Sequence, residues 1–382
     1  MKRLFLFILF PVSVFGQALN GLNYQYLYGQ DNGFTFSFRK QNLTSDSVSF
    51  YFSLKNESPK SNEDFIISLF IHESLNAKDG KEIRPNISYI IKENKLTLGK
   101  FSIRESDAYL VFKIIHLQKR EAWLYFSDCK KELISFLPIE INDTLSTKKF
   151  VPVGSKISLH QNKGPFFVNF YRENFPAASP PYTEVQNMVA KNIKPDSSFQ
   201  VANYFITKSN GLYLIQKDST SKESVSIRVE DDYPKFRKLT SLTAPFAYVT
   251  TKAEFNKIAI STSDKRSFDR SILAITGDAE RAKFFMRNYF KRVELANLYF
   301  TGYKEGWKTD RGMIFTIFGL PDGVYKTQTS EIWEYRTQGD KVSFTFVKTP
   351  TLFDPDNYVL IRKNKLEPIW LEAVDLNRNA RF

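Results

Sequence analysis

One cysteine, three histidines and four methionines in 382 residues leave few handles for chemistry. Cys129 has no partner, so no internal disulfide can form, and stability must come from buried apolar and aromatic groups. Its place at the end of LYFSDC suits a small buried hydrophobe. His72, His116 and His160 stand far apart, with no pair at ligand spacing, so we expect no metal. His116, inside FKIIHLQ, reads as a satisfied strand histidine. No G-x-S-x-G elbow and no phosphate-cradling glycine loop occur, and we expect no cofactor. Long apolar runs are also missing. The longest, Leu4–Phe10, has seven residues, too few to cross a bilayer, and nothing later approaches eighteen. Runs of one charge are lacking too (KKEL, KDSTSKES, DKRSFDR), and we expect no nucleic-acid partner.

What the N-terminus does have is the pattern of a secretory signal over residues 1–16. Lys2 and Arg3 precede the apolar run, and Val14 and Gly16 suit cleavage before Gln17. No cysteine stands at that site to carry a lipid. We therefore expect an exported, periplasmic chain without a transmembrane helix after cleavage. The remaining 366 residues suit two or three domains. Net charge is +13, or +11 without Lys2 and Arg3. Scattered charges of this kind are accounted for by a solvated surface, and an anionic envelope surface is the partner class they would fit.

From 17 to 148 the pattern has period two. Phe34, Phe36 and Phe38 share one strand face, as do Val48, Phe50, Phe52 and Leu54. Further strand-like runs at 65–71, 95–103, 108–117 and 121–127 complete an antiparallel β-sandwich. A second β-sandwich, 149–250, is expected from runs at 156–160, 166–171, 200–206, 211–216 and 224–229. Within it NFPAASPPYTE (174–184) carries three prolines. It reads as a rigid edge or crossover rather than as a peptide ligand for a partner.

After Thr251 the period changes. AEFNKIAI and SFDRSILAI look helical, and the longest helix runs from an Asp278 cap to Gly302, which would end it in a left-handed conformation. Ala282, Phe285, Tyr289, Val293, Ala296 and Phe300 form its apolar stripe. Strands are expected at 313–319 (MIFTIFG), 331–336, 341–347 and 357–363, with QGDK (338–341) as a hairpin turn. The fold class is thus mostly β: tandem antiparallel β-sandwich-like domains followed by a C-terminal α+β domain, 251–382, of helices plus an antiparallel meander.

The run RVELANLYFTGYKEGWKTDRGMIFTIFGLPDGVY, followed by SEIWEY, resembles the GWxTD domain family of exported proteins in Bacteroidota and related bacteria. Its pentapeptide stands here as Gly306, Trp307, Lys308, Thr309 and Asp310, followed by Arg311-Gly312, Gly319-Leu320-Pro321-Asp322 and Trp333-Glu334-Tyr335. FPAASPPY and DYPKFRKLTSL resemble the region that precedes the domain. The resemblance implies an envelope protein, β-rich in front and α+β behind, and no particular reaction. A glycine-x-proline turn followed by W-x-Y and a strand also occurs in small lipoproteins of the outer-membrane barrel-assembly machinery. There the segment before the turn is helical, whereas MIFTIFG reads as a strand.

Catalysis would need Asp310 or Asp322 as acid or base with a partner in reach. Turn chemistry explains both: Asp310-Arg311 as an ion-paired turn before Gly312, and Pro321-Asp322-Gly323 through fixed φ and an Asx bond. Trp307 is expected to plug the gap between the long helix and the sheet. We read Gly306, Trp307, Thr309, Asp310, Arg311, Gly312, Gly319, Pro321, Asp322, Trp333 and Tyr335 as determinants of fold. The expected function is a non-catalytic periplasmic interaction or scaffold protein docking on an outer-membrane-associated complex. The alternatives are an envelope glycan-binding module, with Tyr24, Tyr26 and Tyr28 (NYQYLYG) as a sugar platform, although that run alternates as a first strand would and burial explains it as well, and thirdly a hydrolase.

Overall fold

The structure is a computed structural model. It describes residues 18–29, 33–43, 47–57, 65–93, 96–104, 108–130, 132–160, 165–172, 175–184, 193–337 and 340–381. The expected signal segment and the centre of the QGDK turn lie outside the described residues.

Alternating apolar residues build the first sandwich as read. Strands Phe34–Asn42, Ser47–Asn56, Leu96–Arg104 and Ser88–Glu93 form one antiparallel sheet in that order. Lys81–Ile83, Phe65–His72, Tyr109–His116 and Glu121–Asp128 form the facing sheet. Phe34, Phe50, Phe52, Phe101, Phe112 and Trp123 fill the space between them, with Cys129 sealed at the edge. His116 is buried in its strand, its ring against Phe65 and its Nδ1 accepting the Lys119 N–H.

The second sandwich begins earlier than expected. Strands Ile139–Ile141 and Thr144–Ser146, on the first-domain side of the 148 boundary, pair in one sheet with Lys156–Leu159 and Tyr204–Ile206. Ser135–Phe136 likewise joins the other sheet, beside Glu223–Val229, Gly211–Gln216, Phe166–Tyr171 and Ser197–Val201. The run read as one strand over 200–206 is broken at Ala202-Asn203, its halves going to different sheets. Tyr51, on the outer face of the first sandwich, packs against Phe136 and Leu145 of the second.

The C-terminal region has six α-helices: α1 Leu239–Thr243, α2 Lys252–Ile260, α3 Lys265–Thr276, α4 Ala279–Phe300, α5 Asp310–Phe318 and α6 Glu367–Arg378. Its antiparallel meander orders Gly323–Lys326, Ser330–Thr337, Asp340–Lys348 and Tyr358–Leu360. Thr251 caps α2 in a reciprocal box with Glu254, and Asp278 caps α4 as read. Two expectations fail here. Residues 313–318 are helical rather than extended, with Gly319 just past the helix end, and five successive side chains, Met313 to Ile317, are all buried. Burial on every side erases both the two- and the 3.6-residue period. Gly302 does not turn left-handed; Thr301 ends α4. Glycine is needed at 302 for room, since a Cβ there would lie 1.9 Å from Asp354 Oδ2.

The N-terminal segment departs furthest from its reading. Residues 18–29 make two short 3-10 turns instead of a strand. They lie on the C-terminal meander: Tyr24 N–H donates to Val324 O (2.7 Å), Val324 N–H to Asn23 Oδ1 (2.9 Å), and Asn23 Nδ2 to Asp322 O (3.0 Å). Tyr24 and Tyr28 are buried in the core of the C-terminal domain, with Tyr28 against Phe300 and Trp333. Tyr26 is partly buried and donates its hydroxyl to Leu124 O. The three tyrosines therefore serve packing and do not form an exposed sugar platform.

Tyr28→Ala is expected to lower the stability of the C-terminal domain by about 3 kcal/mol, as aromatic truncations in cores do. Tyr89→Ala, on an exposed ring, should cost under about 0.5 kcal/mol. Denaturant unfolding followed by Trp fluorescence reads both; an unmoved midpoint for Tyr28→Ala would mean that the segment is detached in solution.

Candidate functional site

The pentapeptide forms the connection from α4 to α5, and it lies flush on α4. A Cβ at position 306 would sit 2.0 Å from Ala296 O, and one at 312 would sit 1.8 Å from Gly306 O. Both positions therefore demand glycine for close approach, with no positive φ involved. Between them Trp307 is buried edge-on to Tyr248 at 5.6 Å. Its backbone N–H donates to Asn297 Oδ1 (3.1 Å) and its Nε1 to Glu305 Oε2 (2.7 Å). Lys308 Nζ meets the same carboxylate at 2.9 Å and lies over the Trp307 ring. Thr309 caps α5: its hydroxyl accepts the Gly312 N–H (3.0 Å) and donates to Gly306 O (2.8 Å).

Asp310 has both oxygens engaged. Oδ1 meets Arg362 Nη2 at 2.5 Å, and Oδ2 accepts the Leu360 N–H at 3.0 Å. Both side chains of this pair are almost wholly buried. Asp310 thus fixes the last meander strand to the head of α5. Asp322 lies beyond the other end of α5, a nine-residue helix about 14 Å long. It is exposed and accepts the Arg336 N–H. The two aspartates are not brought together.

Arg311 and Trp333 meet through Glu331, a residue that sequence reasoning missed. The Arg311 guanidinium lies 4.1 Å from the Tyr358 ring centre and 3.4 Å from Glu331 Oε2. Glu331 Oε1 accepts from the Tyr28 hydroxyl and from Trp333 Nε1 (2.6 Å), while Lys326 Nζ stands 3.9 Å from Oε2. Burial acts to raise the Glu331 carboxyl, but Lys326 and Arg311 outweigh it and hold the group below its ordinary range. Tyr335 donates to the carbonyl of Gly319, which has φ +80°, and Pro321 is buried beside them. Glu331 stands two residues before Trp333, and that spacing on one strand face was the signal available for it.

The proline-rich segment crosses this connection as a strap. Phe175 stacks edge-on to Tyr303 (5.0 Å), Ala178 N–H donates to Lys308 O (2.9 Å), and Arg362 Nη2 to Ser179 O (2.9 Å). Lys304 Nζ donates to Pro176 O (3.2 Å) under it. Burial depresses the Lys304 ammonium to about 8, with Asp310 partly opposing. Arg228, from the last strand of the second sandwich, reaches the same connection at Tyr303 O (3.2 Å) and Glu305 (3.8 Å).

A second ionic junction joins the three units. Asp356 is within 3.2 Å of Arg39 of the first sandwich, 3.8 Å of Lys149 of the second, and 3.7 Å of Lys348 of the meander. Its partial burial would raise the carboxyl, yet the surrounding cations, Lys149 first, hold it well below the usual range. The half-exposed side chain makes each contact modest, and their convergence is what locates the units. Among the described residues, no group of three or more His, Cys, Asp or Glu is arranged to hold a metal ion. No described helix is long and apolar enough to cross a membrane.

Asp310→Asn leaves Arg362 buried without its counter-charge, and a loss of about 3–5 kcal/mol in unfolding free energy is expected; a loss under about 1 kcal/mol would show the pair to be solvated. Lys304 gives a pH signature. The open chain holds this proton up to about 10.5 and the folded chain only to about 8. The unfolded state thus binds more protons between these values, and stability rises with pH across that window. The stability of wild type minus Lys304→Met, from melts at several pH values, should rise from pH 8 to 10.5, and a flat difference would refute the depressed ammonium.

Residues 211–379 match the family model described as the GWxTD domain. Its start falls at strand Gly211–Gln216 of the second sandwich, in keeping with the grip of Arg228 on the 303–305 turn. No curated protein matches the chain. Among solved structures, the full ectodomain (Ig1–Ig3) of mouse nectin-like molecule 4 aligns at 9% identity and TM-score 0.19, over 54% of this chain and 66% of that one. HBP35 of Porphyromonas gingivalis aligns at 9% and 0.17, over 52% and 64%. The chain spans just under two thirds of each, and at such scores neither likeness carries an argument. The motif residues, their ordered spacing and the matched span agree: this chain carries a GWxTD domain, over residues 211–379.

Proposed function

We propose that the protein is a non-catalytic interaction or scaffold protein of the periplasm that docks on an outer-membrane-associated assembly serving secretion, barrel assembly or surface-organelle function. The observation that carries this reading is the engagement of the motif's polar groups with the protein itself. Asp310, Thr309, Trp307 and Arg311 each bond a neighbouring element. A catalytic aspartate needs an oxygen aimed at substrate, whereas both oxygens of Asp310 hold the fold. These bonds close the α+β domain, and the contacts of Arg228 and Asp356 join it to the two sandwiches, a form suited to presenting fixed surfaces. The signal-like N-terminus supports the periplasmic address. The order helix, glycine-x-proline turn, W-x-Y strand over Asp310–Tyr335 is also the order found in the barrel-assembly lipoproteins.

A cleft of about 370 Å³ supports glycan binding as the second reading. Asn20, Asn76, Glu73, Asp128 and Gln328 surround Tyr109 there, where the N-terminal segment, the first sandwich and the meander meet. Amides and carboxylates beside an aromatic ring are suited to sugar hydroxyls.

The test is affinity capture of the tagged chain from crosslinked, gently solubilised envelopes of its host, with mass spectrometry. A stoichiometric outer-membrane protein is the expected companion. Recovery of the chain alone after crosslinking would sink the scaffold reading and leave the cleft as the site to titrate with envelope glycans.

A further inference from the structure

The positive charge of this chain is concentrated. Between residues 235 and 300 stand thirteen Lys and Arg against six Asp and Glu, so about a sixth of the chain carries over half of the net +13. This stretch is the helical layer, and its acids are mostly engaged. Glu254 caps α2 and binds Arg378, Asp264 caps α3, and Asp269 pairs with Lys265. Asp278 caps α4 and binds Arg281, and Glu294 pairs with Lys291. By contrast Lys252, Lys257, Arg266, Arg270, Lys283 and Arg287 are all exposed and make no ion pair among the described residues.

These cations are interleaved with exposed apolar side chains at helical spacing. On α2, Lys257 precedes Ile260 (80% exposed) by three residues. On α3, Arg266, Arg270 and Leu273 follow steps of four and three. On α4, Phe284 (47% exposed) lies between Lys283 and Arg287. Three- and four-residue steps share a helix face. α3 packs against both α2 and α4, so the three cation-bearing helices are neighbours. None of these residues belongs to the buried stripes that anchor the helices, such as Phe268 and Ile272 of α3 or Phe285 and Tyr289 of α4.

We propose that this α2–α4 face docks on the surface of a bilayer rich in anionic phospholipid headgroups. Unpaired cations supply attraction to the headgroup charge, and Ile260, Leu273 and Phe284 enter the boundary between headgroups and acyl chains. A bilayer suits the pattern better than an acidic protein does, because apolar residues recur once per helix without forming a pocket. The proposal is separate from the protein-docking reading above, which needs no lipid.

The experiment is co-sedimentation of the form beginning at Gln17, which retains every described element and lacks the Leu4–Phe10 run. Vesicles of equal parts phosphatidylglycerol and phosphatidylcholine are compared with vesicles of phosphatidylcholine alone. Binding to the anionic vesicles, release by added salt and no binding to the neutral ones are expected. The quadruple variant Arg266→Glu, Arg270→Glu, Lys283→Glu, Arg287→Glu should bind about a hundredfold more weakly, and Ile260→Ser about tenfold, with unchanged melting curves. Reversing Lys55, Lys78, Lys81 and Arg84 on the first sandwich should change binding far less. Equal binding to both vesicle types, or no effect of the helical reversals, would overturn the proposal. So would an absence of vesicle binding, and if the same reversals then removed a protein from the envelope capture, the face would belong to an acidic protein instead. Retained capture of that protein by the quadruple variant separates failure here from failure of the scaffold reading.

Discussion

The contact between the α4–α5 connection and α4 itself is the constraint on which the rest of the C-terminal domain depends. Position 306 approaches the backbone at Ala296 so closely that no Cβ fits, and position 312 approaches Gly306 in the same way. With two missing Cβ atoms the chain reverses within one helix diameter. Trp307 is thereby driven under Tyr248, and Thr309 is set where its hydroxyl can close the first turn of α5. Asp310 then faces the last meander strand and holds Leu360 and Arg362. Each letter of the pentapeptide is therefore explained by its neighbour, except position 308. There the lysine serves Glu305 and the strap backbone, and the strap contact is made by its carbonyl, which any residue could supply.

Buried charge in such a place is poor evidence for stability, because desolvation offsets most of the attraction. Its value here is positional. Asp310 and Arg362 can be buried only if α5 and the last strand keep one relation, and Glu331 can be buried only if Tyr28, Trp333, Arg311 and Lys326 all converge. A slip of one residue in the meander would send every side chain to the opposite face and strand those charges in apolar surroundings. The ionic groups thus penalise wrong packings more than they favour the right one.

How far this was legible in the sequence depends on how each residue is buried. Strands with one wet face, such as Phe34–Asn42, where exposed Thr35 and Ser37 alternate with Phe34, Phe36 and Phe38, show their period openly, and the sandwiches could be read from it. α4 is legible for the same reason, with a cap at Asp278 and one dry stripe. MIFTIFG is not, because burial all round leaves no alternation and its composition favours a strand. Its true markers were the ends: Thr309 as cap and Gly319 as the residue with positive φ after the last turn. The motif residues were read as makers of turns and core, but Asp310 and Arg311, expected to pair with each other, pair instead with Arg362 and Glu331 at the head of α5. Arg362, Asn297 and Arg228 could not be read, because pairing across 10 to 75 residues leaves no local pattern, and Glu331 showed only its place two residues before Trp333. The tyrosines 24 to 28 misled by alternating like a strand, when their rings are used singly against another domain.

That last contact has a consequence for how the molecule assembles. Asn23 and Tyr28 reach partners 301 and 303 residues away, Val324 and Glu331. Closing so long a loop is costly in entropy when the intervening chain is open, and the cost falls once the two sandwiches have folded and brought their ends near. The first residues after the expected cleavage site can then complete the core whose remaining parts are made last. Until they do, Trp333 and the carboxylate of Glu331 lack the Tyr28 ring and hydroxyl that cover them. The C-terminal domain is thus finished by a segment from the opposite end of the chain; the Asp356 junction joins all three units, and the tyrosine segment fastens the C-terminal domain to the first sandwich a second time. Such double fastening makes a hinge between the first sandwich and the C-terminal α+β domain costly, since opening one junction leaves the other to resist. In a protein built this way the surfaces of the joined units are held in one relation, as the proposed docking role requires.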